Sequence, residues 1–234
     1  MVIKKIIKSG FNLFGLDIKK FIPENDSLGW LKDLNINTVI DIGANTGQFA
    51  KEIRQQLTKA KIYSFEPIKR CYLQLNENFK EDKNFKSFNF ALGDVDKEVA
   101  MNVSPYTPSS SLLKMTNLHE TIFPHTKGIA DRETIIIKRL DDFFETLECS
   151  ENILFKLDVQ GYEDKVILGA ANSLPKGKAI LIETSFSPLY EGQFLFGQIY
   201  ELLKKLGFNY AGCNNRKKNP LNGRILFEDS IFIR

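Results

Sequence analysis

A chain of 234 residues, 43% hydrophobic and 26% charged, has ordinary globular composition and enough apolar material for one large domain. Its 32 basic and 29 acidic residues leave a net charge of +3, too mild for the concentrated basic stripe of a nucleic-acid binder. No apolar run approaches the roughly 20 residues of a membrane span. Cys71, Cys149 and Cys213 are odd in number and lack CxxC spacing, so they form neither a disulfide frame nor a zinc site.

The first segment sets Ile3, Ile7, Phe11, Phe14, Ile18 and Phe21 at helical steps, with lysines between them. We read residues 1–33 as a helical cover segment, with peripheral contact to an anionic membrane surface as the other use of a basic amphipathic helix. The segment lacks a secretory core and a small-residue cleavage site. With the scattered thiols, this points to the cytoplasm.

From residue 38 strands and helices alternate. TVIDIGA runs into a glycine turn, and QFAKEIRQQL continues as a helix. KIYSFEP is a second strand, stopped by Pro67 and followed by a helix through CYLQLNENF. SFNFALGD is a third strand, ILFKLDVQG a fourth and AILIETSF a fifth. EDKVILGA and FGQIYELLKKLGF supply further helices. Such alternation predicts βαβ units around a mostly parallel sheet. KEVAMNV and ETIIIKRL are strands flanking a lid-like insert at 104–128, a length that marks a lid, a binding loop or disorder. FNYAGCN and ILFEDSIFIR, joined by NRKKNPLNG, form a closing hairpin, so the last strand runs antiparallel.

In a doubly wound sheet, ligands bind beyond the carboxyl ends of the strands. IDIGANTG is the first such end. Gly43 and Gly47 allow close backbone approach there. Glu66, ending the second strand, stands where a carboxylate can accept ribose hydroxyls. In the dinucleotide fingerprint G-x-G-x-x-G, the second and third glycines are here Asn45 and Gln48. That disfavours a pyrophosphate without removing NAD as an alternative.

VIDIGANTGQFA, IYSFEP, NFALGD, KRLDD, FKLDVQGYE and LIETSFSPLYEGQ occur in this order, and DSIFIR closes the chain. Over residues 30–234 this resembles the FkbM-type S-adenosylmethionine-dependent methyltransferases. The resemblance implies a class I methyltransferase fold over 34–234: a Rossmann-like, three-layer α/β/α arrangement with seven strands, the last reversed. By the same resemblance Asp41, Gly43, Ala44, Asn45 and Gly47 surround the methionine part of S-adenosylmethionine. Glu66 holds the ribose, Pro67, Ala91 and Leu92 flank the adenine, and Asp94 stands near its amino group. Asp41 as a helix cap is the plainer reading. Many relatives carry a glutamate where this chain has Gln160.

Methyl transfer to a hydroxyl needs alignment and a base. Asp158, ending the fourth strand beside the first, is the candidate base, and Lys156 shares its face by the strand period. His125 in the insert is a second candidate base, and His119 a weaker one. Ser109, Ser110 and Ser111 read as loop formers, Tyr190 as packing or an acceptor border, and Asp141 as a helix cap. Glu183 would be needed to make Asp158 part of a metal site, and two carboxylates are too few to call one. Arg216, Lys217, Lys218 and Arg224 read as a solvated cluster or a contact for a phosphorylated acceptor.

The resemblance implies O-methylation of a sugar hydroxyl in a surface glycan, or of a secondary metabolite. A nicotinamide-dependent oxidoreductase and a non-catalytic cofactor-binding protein are the alternatives.

Overall fold

The computed structural model describes residues 28–149 and 151–234. The amphipathic stretch of the cover segment, and with it the membrane reading, lies outside them. Leu28 and Leu31, flanking the first described turn, are fully buried.

The main sheet has seven strands in the order β3-β2-β1-β7-β8-β10-β9. These are β1 (Thr38–Ile42), β2 (Lys61–Phe65), β3 (Phe85–Phe88), β7 (Ile153–Leu157), β8 (Gly177–Ser185), β9 (Asn209–Lys218) and β10 (Ile225–Ile233). β1 pairs in parallel with β2 and β7, and β7 with β8. β10 runs antiparallel to both β8 and β9. The reversed strand and the closing hairpin are as the sequence predicts.

Strand alternation splits the core in two. Ile40, Ile42, Phe155, Leu157, Ile180 and Ile182 pack on one face, with helices α4 (Glu163–Gly169) and α5 (Phe196–Lys205). Val39, Ile62, Leu154, Ala179 and Leu181 pack on the other, with α1 (Gln48–Gln56) and the Leu28–Leu31 turn. Each such aliphatic side chain contributes about 1.5–3 kcal/mol by burial. The period of two then puts Asp41, Ser64, Lys156 and Glu183 on that second face, near the carboxyl ends. A polar row at the ends of buried apolar strands is thus a direct result of register.

A second sheet departs from expectation. The stretch SFNFALGD is two strands: β3, in the main sheet, and β4 (Ala91–Leu92), which leaves it. β4 pairs with β6 (Asp131–Lys138), and β6 is antiparallel to β5 (Lys97–Val103). Asn89 fixes the break between them, donating to the carbonyls of Glu66 and Pro67 at 2.9 and 2.8 Å. The second sheet packs on α2 (Lys69–Asn78) through Cys71, Met101, Val103 and Ile135. The insert between β5 and β6 is folded, with a short helix α3 (Asn117–Ile122) capped by Thr116. No helix among the described residues is long and apolar enough to cross a membrane.

Candidate active site

A cavity of about 380 Å³ opens at the carboxyl ends of β1, β2, β7 and β8, roofed by residues of the insert. The β1 turn forms one wall. Gly43 adopts φ +82°, and a β-carbon there would lie 1.9 Å from the carbonyl oxygen of Asp158. The N–H groups of Gly43 and Ala44 both donate to Phe65 O, at 3.1 and 3.0 Å. The turn is therefore wedged between the ends of β2 and β7, which only glycine permits.

Glu66 is buried in the cavity wall. Its Oε2 accepts the Asn45 N–H and its Oε1 the Ile68 N–H, each at 2.8 Å. Burial raises its pKa to about 7, against the lowering effect of those two donors. Pro67, Ala91 and Leu92 line the same end beside Ile68 and Met101, an apolar slot beyond the carboxylate.

The other end is acidic. Lys156 Nζ lies 3.3 Å from Asp158 Oδ2, 3.8 Å from Asp41 Oδ1 and 5.7 Å from the Phe49 ring centroid. Burial pulls the ammonium pKa down, but Asp158 and Asp41 together leave it raised. Gln160 joins the next groups: its Nε2 donates to Asp158 Oδ1 at 2.7 Å and to Glu183 Oε1 at 3.3 Å. Its Oε1 accepts from the Tyr190 hydroxyl at 2.7 Å. The Glu183 carboxyl is pushed well up by burial and by Asp158, Glu163 and Asp229.

Several sequence-predicted residues lie elsewhere. Asp41 is wholly buried behind the cavity wall; Ser64 donates to its Oδ2 at 3.1 Å, and Lys156 lies nearest its Oδ1. It supports Lys156 and caps no helix. Gly47 is the N-cap of α1, where a β-carbon would lie 2.6 Å from Phe79 and 2.7 Å from Leu75. It serves helix packing and does not line the cavity. Asp94 is turned to Lys165, 3.6 Å away, and is also absent from the lining. His125 is exposed, rests edge-on against Tyr106 and does not reach the cavity. His119 is buried with Nε2 3.1 Å from Thr126 Oγ1. The insert turns both imidazoles away from the cavity, whose titratable lining groups are carboxyls together with Lys156, Tyr106 and Tyr162.

Asp141 caps a neighbour, accepting the N–H groups of Asn172 and Ser173. Ser111 ties the insert to the site, its hydroxyl donating to Gln160 O at 2.6 Å. The sequence places Glu163 only within the helix EDKVILGA. In the fold its Oε1 accepts from the Val159 and Gly161 N–H groups at 3.0 and 3.2 Å, clamping the loop after Asp158. Burial raises its pKa to about 7. Among the described residues no three Asp, Glu, His or Cys side chains converge where they could hold a metal ion.

A doubly wound sheet with a reversed last strand, a glycine turn after β1 and an acid after β2 is the class I methyltransferase arrangement. A family model for the methyltransferase FkbM domain matches residues 41–210, and the chain belongs to that family. It is similar to the 2-O-methyltransferase NoeI of Sinorhizobium fredii, with 31% identity over 173 residues, 70% of each chain. It also resembles the crystal structure of a methyltransferase FkbM from Methylobacillus flagellatus, with a TM-score of 0.53 and 12% identity. That match covers 86% of this chain and 44% of the solved one, so the chain spans under half of that protein's length.

Proposed function

We propose that the protein transfers a methyl group from S-adenosylmethionine to a sugar hydroxyl, with Asp158 as the base. The observation that carries this reading is the polarity of one cavity, with an apolar slot past Glu66 at one end and carboxylates at the other. Its lining includes Glu52, Glu66, Asp158, Glu183 and Asp229 but, among the described residues, one cationic side chain, Lys156. A sulfonium is stabilised by such carboxyl oxygens, whereas a pyrophosphate would meet a single cation among the described residues. The first N–H groups of the turn, which would cradle phosphate, are already bonded, Asn45 to Glu66 and Thr46 to Asn45 Oδ1. These observations count against the nicotinamide alternative.

Glu66 would hold the ribose, and Pro67, Ala91 and Leu92 the adenine. Gly43, Ala44 and Asn45 would face the methionine part. The bound cofactor supplies an electrophilic methyl and keeps the sulfur–carbon electron pair when the carbon–oxygen bond forms. The chain aligns the acceptor oxygen and removes its proton. Asp158 receives that proton at its carboxylate, with Lys156 and Gln160 fixing its two oxygens. The similarity to a protein named a 2-O-methyltransferase supports oxygen as the acceptor atom. The free thiols Cys71, Cys149 and Cys213 support a reducing, cytoplasmic setting.

The test is calorimetry with S-adenosylmethionine, S-adenosylhomocysteine and NAD, followed by methyl-transfer assays on glycan fractions. Asp158→Ala should lower turnover on the order of 10²–10⁴-fold while leaving cofactor affinity intact. NAD binding with no affinity for S-adenosylmethionine would overturn the reading. Unchanged turnover in the variant would remove Asp158 from its role.

A further inference from the structure

The closing hairpin carries a feature that shapes the acceptor end. Pairing between β9 and β10 holds at Cys213–Ser230 and at Arg216–Glu228. Between those pairs β9 has two residues, Asn214 and Asn215, where β10 has only Asp229. This is a β-bulge, which breaks alternation and re-aims side chains beside it. Both asparagines and Asp229 thereby line the cavity. Asn215 Nδ2 donates to Asp229 Oδ2 at 3.1 Å, and Asp229 stands opposite Glu183 in the β8–β10 ladder.

The hairpin's cations do not reach this wall. Arg216 binds the buried Glu228 through Nε and Nη2, at 3.1 and 3.0 Å. Lys217, Lys218 and Arg224 are exposed and absent from the lining. Among the described residues the lining's one cation, Lys156, is held between Asp158 and Asp41. An anionic acceptor would therefore add a negative charge beside Asp158 and Asp229 with no further cation among the described residues to meet it.

We propose that the acceptor is a neutral polyhydroxyl saccharide, held through its hydroxyls by Asn214, Asn215 and Asp229, and that phosphorylated and uronate sugars are excluded. The proposal rests on the methyl-transfer reading. A hydroxyl both donates and accepts, which amide and carboxylate groups match together. Exclusion comes from the acidic wall, a repulsive element that sets specificity without adding affinity.

The experiment uses the full chain, labelled S-adenosylmethionine and envelope saccharides of the source cell, split by anion exchange into unretained neutral and retained anionic pools. The neutral pool should carry at least tenfold more label. Label chiefly in the anionic pool overturns this proposal and leaves methyl transfer to sugars standing. Label in neither pool, with cofactor binding intact, overturns both. In the neutral pool, Asn214→Ala should raise the acceptor KM at least tenfold with unchanged affinity for S-adenosylhomocysteine, and an unchanged KM overturns the role of the bulge. If that variant melts lower than the parent, Asn214→Ser gives the same reading.

Discussion

A β-carbon on Gly43 would lie 1.9 Å from the carbonyl oxygen of Asp158, so the turn after β1 and the loop after β7 are in contact through backbone alone. The cavity wall and the candidate base are thus fixed relative to each other. Gly43→Ala meets that clash and a φ of +82° together. The two costs amount to about 3 kcal/mol. Chemical denaturation should show the loss, along with failure to bind S-adenosylmethionine. A variant of parental stability and affinity would mean the contact yields at no cost.

Gly47→Ala separates packing from binding. The new methyl meets Phe79 and Leu75 side chains, which can shift. We expect a loss of about 1–3 kcal/mol in stability with cofactor affinity preserved. Affinity lost without stability would restore Gly47 to the cofactor shell.

Glu66 and Glu163 give stability a defined pH dependence. Both fold with pKa values of about 7 against an ordinary 4.5. The folded chain therefore keeps protons that the unfolded chain releases between those values. Stability is full below about 4.5 and falls as pH rises towards about 7, by up to about 1.4 kcal/mol per pH unit for each group. Denaturation at pH 5 and 7.5 should show the fall, and Glu163→Gln should flatten it. The same slope in that variant would mean Glu163 is ionised throughout.

Strands β1, β7 and β8 were legible because both of their faces are buried, which writes them as unbroken apolar runs. Glu66 and Asp158 were legible because they follow such runs directly. The escape of Ala91–Leu92 into a second sheet was not, since its partner Ile137 lies 46 positions away and leaves no local trace. Glu163 was hidden because a buried loop clamp and an ordinary first-turn helix acid look alike in sequence. Asp229, Asn214 and Asn215 were hidden by the bulge, which breaks the alternation from which facing is read.

Gln160→Glu replaces the one amide that donates to both Asp158 and Glu183. A glutamate can donate there only while protonated. Activity of this variant should therefore fall as pH rises, on a limb absent from the parent, with cofactor affinity little changed. A pH profile overlapping that of the parent would show that the amide does not position the two carboxylates.

His125→Ala should leave kcat and KM within about twofold, because the ring is exposed and outside the cavity. Loss of turnover on the order of 10² would make it a base after all, reaching the acceptor by movement of the insert.

The bulge at Asn214 and Asn215 also bears on how this scaffold can change. Removing one of the two asparagines would leave Cys213 opposite Ser230 and Arg216 opposite Glu228. The rest of the hairpin would keep its register, and a regular ladder would replace the kink. A single-codon deletion could therefore reshape the mouth of the cavity without touching the cofactor end. Insertions and deletions at this point offer descendants of the chain a route to new sugars.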